Sequence, residues 1–543
     1  MRQIPGLSGR LEPGLVSFAL DLVASSGACS AIEAELETAT GRPRTLSTEA
    51  LLVALVLLAL EDRPLHLSLA TELLWRRLPP AVRGRLGISS EAATHRAFLA
   101  RYRTVRYLFG RICAALDPEG LPKNRRLPVE VARARSKSVA PAESSRRCEA
   151  LEGIVAGLLF ASVALQSERE RALFDGAVGL DATPVPLYSR GPSRRSGLSA
   201  SDPDGGWYVR EGDHRGVEDQ RGRVRGKVAW ALEATIVVMA TPPGHPAAHR
   251  SLVVGLCLAR PGIDPGGTGA RVLAGVSSKG HRTGFLGADR AYSSARADAF
   301  HLPVRALGYT PVFDYRGDEL GVQANSQGAL LVEGAWCCPA IPAALVSATA
   351  DHRAQRIGDK DYASRIAARA EWRLSVKAGP DVDGYERFSC PAVGRTPHLS
   401  CPLRHASTTC RDGRTKVLSP PEIAPRCCQQ ASITIAPDVG ARHRQRLAFG
   451  TEEWRSRYAT CRNTIEGTNG YLKDGAHEAL GDPSRRRVRG IAAQSLFCAL
   501  LVMAANVRKL RAFRQIEADG EVEAVIERAR RRRTSLADYR PGA

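Results

Sequence analysis

Short apolar runs rich in β-branched residues, separated by polar turns, fill residues 177–316 and constrain the fold more than any other feature of the sequence. Residues 177–181 predict a brief strand that ends at Asp181, and residues 283–289 predict a second strand that ends at Asp289. Each run is followed by a polar, turn-prone segment, as expected where a strand leaves a sheet. A single aspartate at such a position most often serves as a turn or capping residue.

Two longer β-rich runs lie between these strands. Residues 228–241 and 250–262 are joined by Pro-Pro-Gly-His and predict an antiparallel hairpin, whereas residues 190–226 are rich in Gly, Arg and Ser and predict a loop. A further strand is predicted at residues 310–316. This order of elements predicts an α/β fold with a mixed sheet, although periodicity alone does not distinguish among the folds of that class.

Helical patterns flank the β-rich region. Residues 47–64 start at a capping serine and continue in strong helix formers, and residues 94–116 repeat apolar and basic residues with a helical period. Further helices are predicted at residues 148–168, 457–476 and 490–513. The chain is accordingly divided into a small all-helical domain (1–123), a basic linker (124–150), the first part of the α/β core (151–330), a Cys- and Pro-rich insertion (331–445), the last part of the core (446–515) and a basic tail (516–543).

The charge of the chain favours a polyanionic partner. The 543 residues carry a net charge of +21, with arginine-rich runs at residues 221–227, 485–490 and 528–533. Because neutralising phosphates releases bound counterions, this excess predicts nucleic-acid binding. The basic face predicted for residues 94–116 makes the helical domain the candidate for binding DNA ends, with a solvated helical scaffold as the alternative.

Membrane insertion and secretion are not expected. The longest apolar run, at residues 51–60, has ten residues, whereas a membrane span needs about 20. Residues 491–507 are apolar but are interrupted by Gln494 and Asn506, which favours a buried helix. The 13 cysteines are odd in number and scattered, so a reduced, cytoplasmic protein is predicted.

A third acid comes from a predicted helix. Within residues 458–473, Arg462, Glu466 and Lys473 lie at rotations of about 0°, 40° and 20° and share one face. A surface ion pair between positions i and i+4 explains the first two equally well. Metal-assisted phosphodiester chemistry, however, requires carboxylates on rigid elements that hold two divalent cations about 4 Å apart. Three acids placed at strand ends and on a helix meet that requirement.

These residues together resemble a known family. Residues 180–185 (LDATPV), 287–293 (GADRAYS) and 458–473 are similar to the three acidic motifs of DDE transposases from bacterial insertion sequences. The most similar group has a tyrosine–arginine–glutamate–lysine pattern around its last acid, and the spacing Arg-x3-Glu-x6-Lys matches it. Tyr458 lies one residue further from Arg462 than in the usual pattern.

The resemblance covers roughly residues 177–316 and 450–510, and it implies a ribonuclease-H-like core that tolerates an insertion. The catalytic and metal-binding residues that it implies are Asp181, Asp289 and Glu466. The residues that it implies for DNA contacts are Arg290, Tyr458, Arg462 and Lys473. Asp314 also ends a predicted strand, but no arginine follows it directly as one follows Asp289.

The resemblance further implies the reaction and its partners. Two Mg²⁺ ions, with Mn²⁺ as a substitute, would support hydrolysis at the ends of the element and attack of a 3′-hydroxyl on target DNA. The implied partners are double-stranded DNA with terminal inverted repeats, target DNA and a second copy of the chain, in the nucleoid of a bacterial cytoplasm. The same three acids are compatible with a ribonuclease-H-like nuclease that lacks strand transfer, and the charge is compatible with an inert DNA-binding relic.

A cysteine cluster in the insertion is a separate candidate site. Structural zinc requires four thiolate or imidazole ligands in a tetrahedron, and two of these cysteines precede proline in turns. The sequence has no Cys-x-x-Cys pair there, so buried or free thiols are the alternative. The cysteines concerned are Cys390, Cys401, Cys410, Cys427 and Cys428.

Overall fold

The structure is a computed structural model with a mixed α/β architecture, in which a six-stranded sheet is surrounded by helices. The residues that it describes are 11–36, 44–89, 94–193, 195–210, 227–394, 397–403 and 414–518. The predicted basic tail lies almost entirely outside the described residues, as does Cys410.

Six helices form the N-terminal region: α1 (Pro13–Ser26), α2 (Ala28–Leu36), α3 (Thr48–Leu60), α4 (Leu67–Glu72), α5 (Pro80–Arg85) and α6 (His95–Ala115). Both helices predicted here are confirmed, and each begins at a capping side chain. The hydroxyl of Ser47 accepts a hydrogen bond from the Ala50 amide, and that of Thr94 accepts one from the Ala97 amide. Helix α3 is buried along nearly its whole length and is the centre of this region.

The segment predicted as a basic linker (124–150) contains helix α7 (Val129–Ser138) and the first part of helix α8 (Pro141–Val163). Helix α7 buries none of its residues, and its valines and alanines do not form a core-facing stripe that the sequence pattern would reveal. Helix α8 begins earlier than predicted, with Pro141 in its first turn, where the missing N–H costs nothing. Helix α9 (Glu168–Leu173) follows behind the capping residue Ser167.

The strands of the main sheet are β1 (Val178–Pro186), β2 (Gly206–Arg210), β3 (Lys227–Met239), β4 (Val253–Ala259), β5 (Phe285–Ala288) and β6 (Thr310–Val312). Their order is β2-β3-β1-β5-β6, and β4 pairs with β3. The β3–β4 hairpin is antiparallel as predicted, and β1, β5 and β6 are parallel neighbours. The presence of β2 corrects the loop predicted for this part of the chain.

Strand β1 does not end at Asp181, which corrects the sequence prediction. Its parallel pairing with β5 stops at Leu180, but its antiparallel pairing with β3 continues to Pro186. Because β3 is long enough to support β1 on one side, β1 extends beyond the shorter β5. Asp181 is therefore held within a strand, one residue beyond the last pair that β1 forms with β5.

Three helices follow the strands of the core. Asp264 caps the N-terminus of helix α10 (Pro265–Ser278), and Asp289 caps that of helix α11 (Arg290–Ser293). Helix α12 (Leu302–Ala306) precedes β6. Helix α10 packs against β3 and β4, and its apolar side chains share a core with those of β1 and β5.

The predicted insertion (331–445) contains short regular elements, and the small sheet at its start begins earlier, at Val322. Its strands form two three-stranded sheets and a small pair: β7 (Val322–Ser326), β8 (Ala329–Val332), β9 (Ala335–Cys337), β10 (Ser375–Ala378), β11 (Glu386–Ser389), β12 (Leu399–Ser400), β13 (Thr415–Lys416) and β14 (Ser432–Ile435). Its helices are α13 (Ala343–Val346), α14 (Ala348–Arg353), α15 (Asp359–Trp372) and α16 (Arg426–Gln429). These strands are too short to show a period of two.

The chain returns from the insertion to the core at Gln445. The side-chain amide of Gln445 donates to the Phe313 carbonyl (2.8 Å), and its oxygen accepts from the Phe313 amide (2.9 Å) and the Trp454 indole (3.2 Å). Helix α17 (Glu452–Lys473) begins immediately afterwards and packs across β1, β3 and β5.

The last described helix is α18 (Ile491–Ala518). Asn506 joins it to the core through hydrogen bonds with Val253 and Ser162. Among the described residues, its segment Ile491–Ile516 has the length and hydropathy of a membrane span, but 89% of that apolar window is buried inside the protein. Its apolar side chains join those of α1–α6 and α8 in one continuous core.

Candidate active site

Two glycines determine how closely helix α17 approaches the sheet. A Cβ atom on Gly179 of β1 would lie 2.5 Å from the Cys461 carbonyl oxygen and 3.0 Å from Cβ of Ile465. A Cβ atom on Gly287 of β5 would lie 2.4 Å from Cβ of Cys461. Because these distances are shorter than any van der Waals contact, α17 lies directly on the strand backbones only where both strands carry glycine.

The strand period then places two acids under the same helix. Side chains two residues apart point to the same face of a sheet. Asp181 follows Gly179 by two positions, and Asp289 follows Gly287 by two positions, so both acids face α17. Leu180 and Ala288 are the last residues paired in the parallel register; each aspartate follows directly, and Asp289 is near enough to raise the pKa of Asp181.

A single guanidinium interacts with all three predicted acids. Nη2 of Arg462 donates to Oε1 of Glu466 at 2.6 Å, and Nη1 of Arg462 lies 4.0 Å from Oδ1 of Asp181. Burial lowers the pKa of Arg462, but the negative charges of Asp181, Asp289 and Glu466 outweigh this and raise it. The side chain of Glu466 is 58% exposed, so this carboxylate can leave Arg462 without disturbing the core.

The carboxyl group of Asp181 has a strongly raised pKa. Burial raises its pKa from 3.8 to about 6. The positive charge of Arg462 and the Ala182 amide lower the pKa, whereas Asp289 and Glu466 raise it. A buried carboxylate surrounded by like charges favours a bound cation or a proton, as expected at a functional site.

Asn469 is a member of this site that was not assigned a role from the sequence. Its side-chain Nδ2 donates to Oδ2 of Asp181 at 3.0 Å, and the residue is 7% exposed. Asn469 lies seven residues after Arg462, a rotation of about 700°, which places both on one face of the helix. That spacing was visible in the sequence, but a neutral amide carries no charge pattern to attract attention.

Arg290 lies beside the acids, and Asp314 holds it in place. Nη2 of Arg290 donates to Oδ2 of Asp314 at 2.8 Å, and Nη2 of Arg353 donates to Oδ1 of the same carboxylate at 2.8 Å. Asp314 is thus an anchor for two arginines. Because Arg353 belongs to α14, this cluster connects the insertion to the edge of the site.

Tyr458 lies one turn before Arg462 on α17. Its ring stacks on that of Trp454, with centroids 5.2 Å apart and planes inclined by 8°. Burial raises its pKa to about 12, with a further contribution from Asp314. Lys473 is the last residue of α17, about 10 Å along the axis from Glu466, so it lies at the far end of the same face.

The carboxylate and amide oxygens of the acid site are the kind of atoms that bind a hard divalent cation, but these side chains do not surround a common cation position. Among the residues that the structure describes, no group of three or more His, Cys, Asp or Glu side chains could hold a metal ion. At the acid site, the Glu466 carboxylate accepts a hydrogen bond from Arg462. Oδ1 of Asn469 and Nη1 of Arg462 are both buried without a hydrogen-bond partner in the described part of the chain. The unpaired Asn469 oxygen suits a water ligand of Mg²⁺ or Mn²⁺, whereas the unpaired nitrogen of Arg462 suits an anion such as phosphate.

The cysteines of the insertion approach one another. Burial raises the pKa of Cys338 to about 12, and the neighbouring thiols of Cys390, Cys428 and Cys401 raise it further. The sulfurs of Cys427 and Cys428 are 3.9 Å apart. Cys338 was not included in the predicted zinc set, and Cys410 lies outside the described residues. The structural zinc therefore stays a prediction.

Basic side chains are exposed on two helices near the N-terminal region. On α6, an open groove is lined by Arg103, Arg106, Tyr107 and Arg111, and Nη1 of Arg111 donates to the Tyr107 hydroxyl at 3.2 Å. Helix α7 is exposed along its length and carries Arg133, Arg135 and Lys137. These surfaces have the charge and the exposure that contacts with a phosphate backbone require.

Comparison of the chain with protein-family models, with curated proteins and with solved structures found no match. The candidate site is thus defined by the geometry of its own residues: two adjacent aspartates on parallel strands, and a glutamate, an arginine and an asparagine on the helix that covers them.

Proposed function

We propose that the chain is a DNA transposase of the DDE type, with a ribonuclease-H-like core, which cuts the ends of a DNA element and joins them to target DNA. The observation that carries this proposal is the meeting of Asp181, Asp289 and Glu466 around the guanidinium of Arg462. Acids on two parallel strands and one covering helix match the order and the spacing of the three sequence motifs. The net charge of +21 supports a DNA substrate.

Each residue has a defined task in this proposal. Asp181, Asp289 and Glu466 hold Mg²⁺ or Mn²⁺, which when bound supplies a nucleophile from water and stabilises charge on the phosphate. Glu466 reaches this position by leaving Arg462. The freed guanidinium of Arg462 then binds a phosphate oxygen of the DNA, since a planar guanidinium suits bidentate contact with phosphate.

The flanking residues position the DNA. Asp314 keeps the guanidinium of Arg290 at the edge of the site, where it contacts a phosphate next to the scissile bond. Tyr458, fixed by its stacking on Trp454, contacts the backbone beside it. Lys473 binds phosphate further along the strand. The basic surfaces of α6 and α7 bind the DNA ends, and two copies of the chain act on a pair of ends.

The experiment that tests the proposal uses a supercoiled plasmid carrying the DNA that flanks the gene on both sides. We expect Mg²⁺-dependent cleavage at the borders and, with a second plasmid, joined products. The variants Asp181→Asn, Asp289→Asn and Glu466→Gln should each lower cleavage by several orders of magnitude. The matched control is Glu452→Gln, which changes an exposed glutamate of the same helix that pairs only with Arg455 among the described residues.

The possible outcomes separate the alternatives. Cleavage with joined products supports a transposase, whereas cleavage without joined products, even with free 3′-hydroxyl ends supplied, supports a nuclease. Retention of DNA cleavage by the two aspartate variants refutes the proposed site. DNA binding that persists in all variants, without metal-dependent cleavage by the unsubstituted protein, identifies a DNA-binding protein that lacks catalysis.

A further inference from the structure

Only one of the two polar groups of the Asn469 side chain has a hydrogen-bond partner among the described residues. Its Nδ2 group donates to Oδ2 of Asp181 at 3.0 Å, but its Oδ1 atom is buried without a hydrogen-bond partner in the described part of the chain. The residue is 93% removed from solvent. An unpaired buried carbonyl oxygen destabilises the folded state, so a residue that served stability alone would be replaced with advantage by an apolar one.

A second buried asparagine in the same chain shows what a structural role looks like. Asn506 of α18 is fully buried, and both ends of its carboxamide are bonded: Oδ1 accepts from the Val253 amide, and Nδ2 donates to the Val253 carbonyl and to Ser162. Asn506 thereby connects three elements of the core. Asn469 differs because its one bond is to an acid of the candidate site.

The surroundings fix the position of the Asn469 side chain. The neighbouring Thr468 is buried, and its hydroxyl accepts a hydrogen bond from Nζ of Lys509 at 3.2 Å, which holds this turn of α17 against α18. Glu466 lies three residues before Asn469, about 60° away around the helix, and its side chain is 58% exposed, so this edge of the acid site is open to solvent.

We propose that Asn469 is a positioning residue of the acid site: Nδ2 orients the Asp181 carboxylate, and Oδ1 accepts a hydrogen bond from a water molecule that belongs to a bound Mg²⁺ ion. This inference rests on the proposed function, because it requires the cation that Asp181, Asp289 and Glu466 would hold. Mg²⁺ keeps several water ligands in proteins, and these waters need acceptors in the surrounding shell. Residues of that shell typically change metal affinity 10- to 100-fold when they are removed.

The test measures Mg²⁺ binding by the full-length protein, by calorimetric titration and by the rise in melting temperature with Mg²⁺ concentration. The main variant is Asn469→Leu, which has the same branching as asparagine and no polar atoms. We expect the dissociation constant for Mg²⁺ to rise about 10- to 100-fold. The melting temperature without Mg²⁺ should change little, because removal of the unpaired oxygen offsets loss of the hydrogen bond to Asp181.

The matched control is Asn506→Leu, which should lower the melting temperature without Mg²⁺ and leave the Mg²⁺ dissociation constant unchanged. If Asn469→Leu does not fold, Asn469→Ala provides the same comparison of affinities. Unchanged Mg²⁺ affinity in the Asn469 variants, with binding still abolished by Asp181→Ala, overturns this inference alone. Absence of any Mg²⁺ binding by the unsubstituted protein overturns both this inference and the proposed function.

Discussion

The contact between α17 and the strands carrying Gly179 and Gly287 gives the sharpest prediction. A methyl group at position 179 would lie 2.5 Å from the Cys461 carbonyl oxygen, and one at position 287 would lie 2.4 Å from Cβ of Cys461. Ordinary contacts between such atoms are about 3.5 Å, so the helix must retreat by about 1 Å in either variant. The obstructing atoms belong to a helix backbone and a Cβ atom, which cannot rotate away.

The retreat of α17 has two measurable consequences. Overpacking of this kind costs about 1–3 kcal/mol of stability. In addition, Glu466, Arg462 and Asn469 move away from Asp181 and Asp289, and a displacement of about 1 Å can lower a rate about 100-fold. We therefore expect Gly179→Ala and Gly287→Ala each to lower both the melting temperature and the rate of metal-dependent DNA cleavage.

The matched control is Gly153→Ala in α8, where a methyl group would meet nothing within 4 Å. This variant should gain about 0.5–1 kcal/mol from the better helix propensity of alanine and should keep the cleavage rate. Chemical denaturation and a single-turnover cleavage assay measure the two effects. Wild-type stability and cleavage in both strand variants would refute the reasoning, because the helix would then not lie on these strands.

Three further predictions concern the same site. Because burial raises the pKa of Asp181 from 3.8 to about 6, the folded protein binds this proton more tightly than the unfolded chain, and stability falls as pH rises through that interval. Asp181→Asn should therefore be more stable than the unsubstituted protein by about 1–3 kcal/mol in metal-free buffer at pH 7, and denaturant titrations should show the difference closing below pH 4. Gly467 and Gly470 face open space, so Gly467→Ala and Gly470→Ala should each add about 1 kcal/mol to stability. Slower DNA cleavage by these more stable variants would place the substrate against this face of the helix. Asp314→Asn should loosen Arg290 and weaken DNA binding severalfold at low salt, with an effect that shrinks as salt is added; salt-independent binding constants would exclude a role for Arg290 in phosphate contact.

The sequence was most informative where apolar periods are long. The helices at α3, α6 and α18 and the antiparallel β3–β4 hairpin follow from capping residues and from side-chain periodicity. The place of Asp289 after a short apolar strand was also correct. The position of Asp181 was not, because the extent of β1 depends on its pairing with β3, and strand pairing is a property of the whole sheet.

Other elements of the fold have no hydrophobic periodicity in the sequence from which they could be predicted. Helix α7 has no apolar face, and the strands of the insertion have two to five residues each. Arg462 and Glu466 were predicted to share a helix face, and their hydrogen bond confirms it. One interpretation was incomplete: Asn469 is uncharged and drew no assignment.

The central claim is that acids from β1, β5 and α17 bind divalent cations together. The most direct measurement is a crystal structure of the full-length protein grown with Mn²⁺, with data collected at a wavelength where manganese scatters anomalously. We predict an anomalous peak between the carboxylates of Asp181 and Asp289, with Glu466 rotated from Arg462 toward it. Manganese bound elsewhere, with Asp181 and Asp289 free of metal at saturating concentration, would contradict the account.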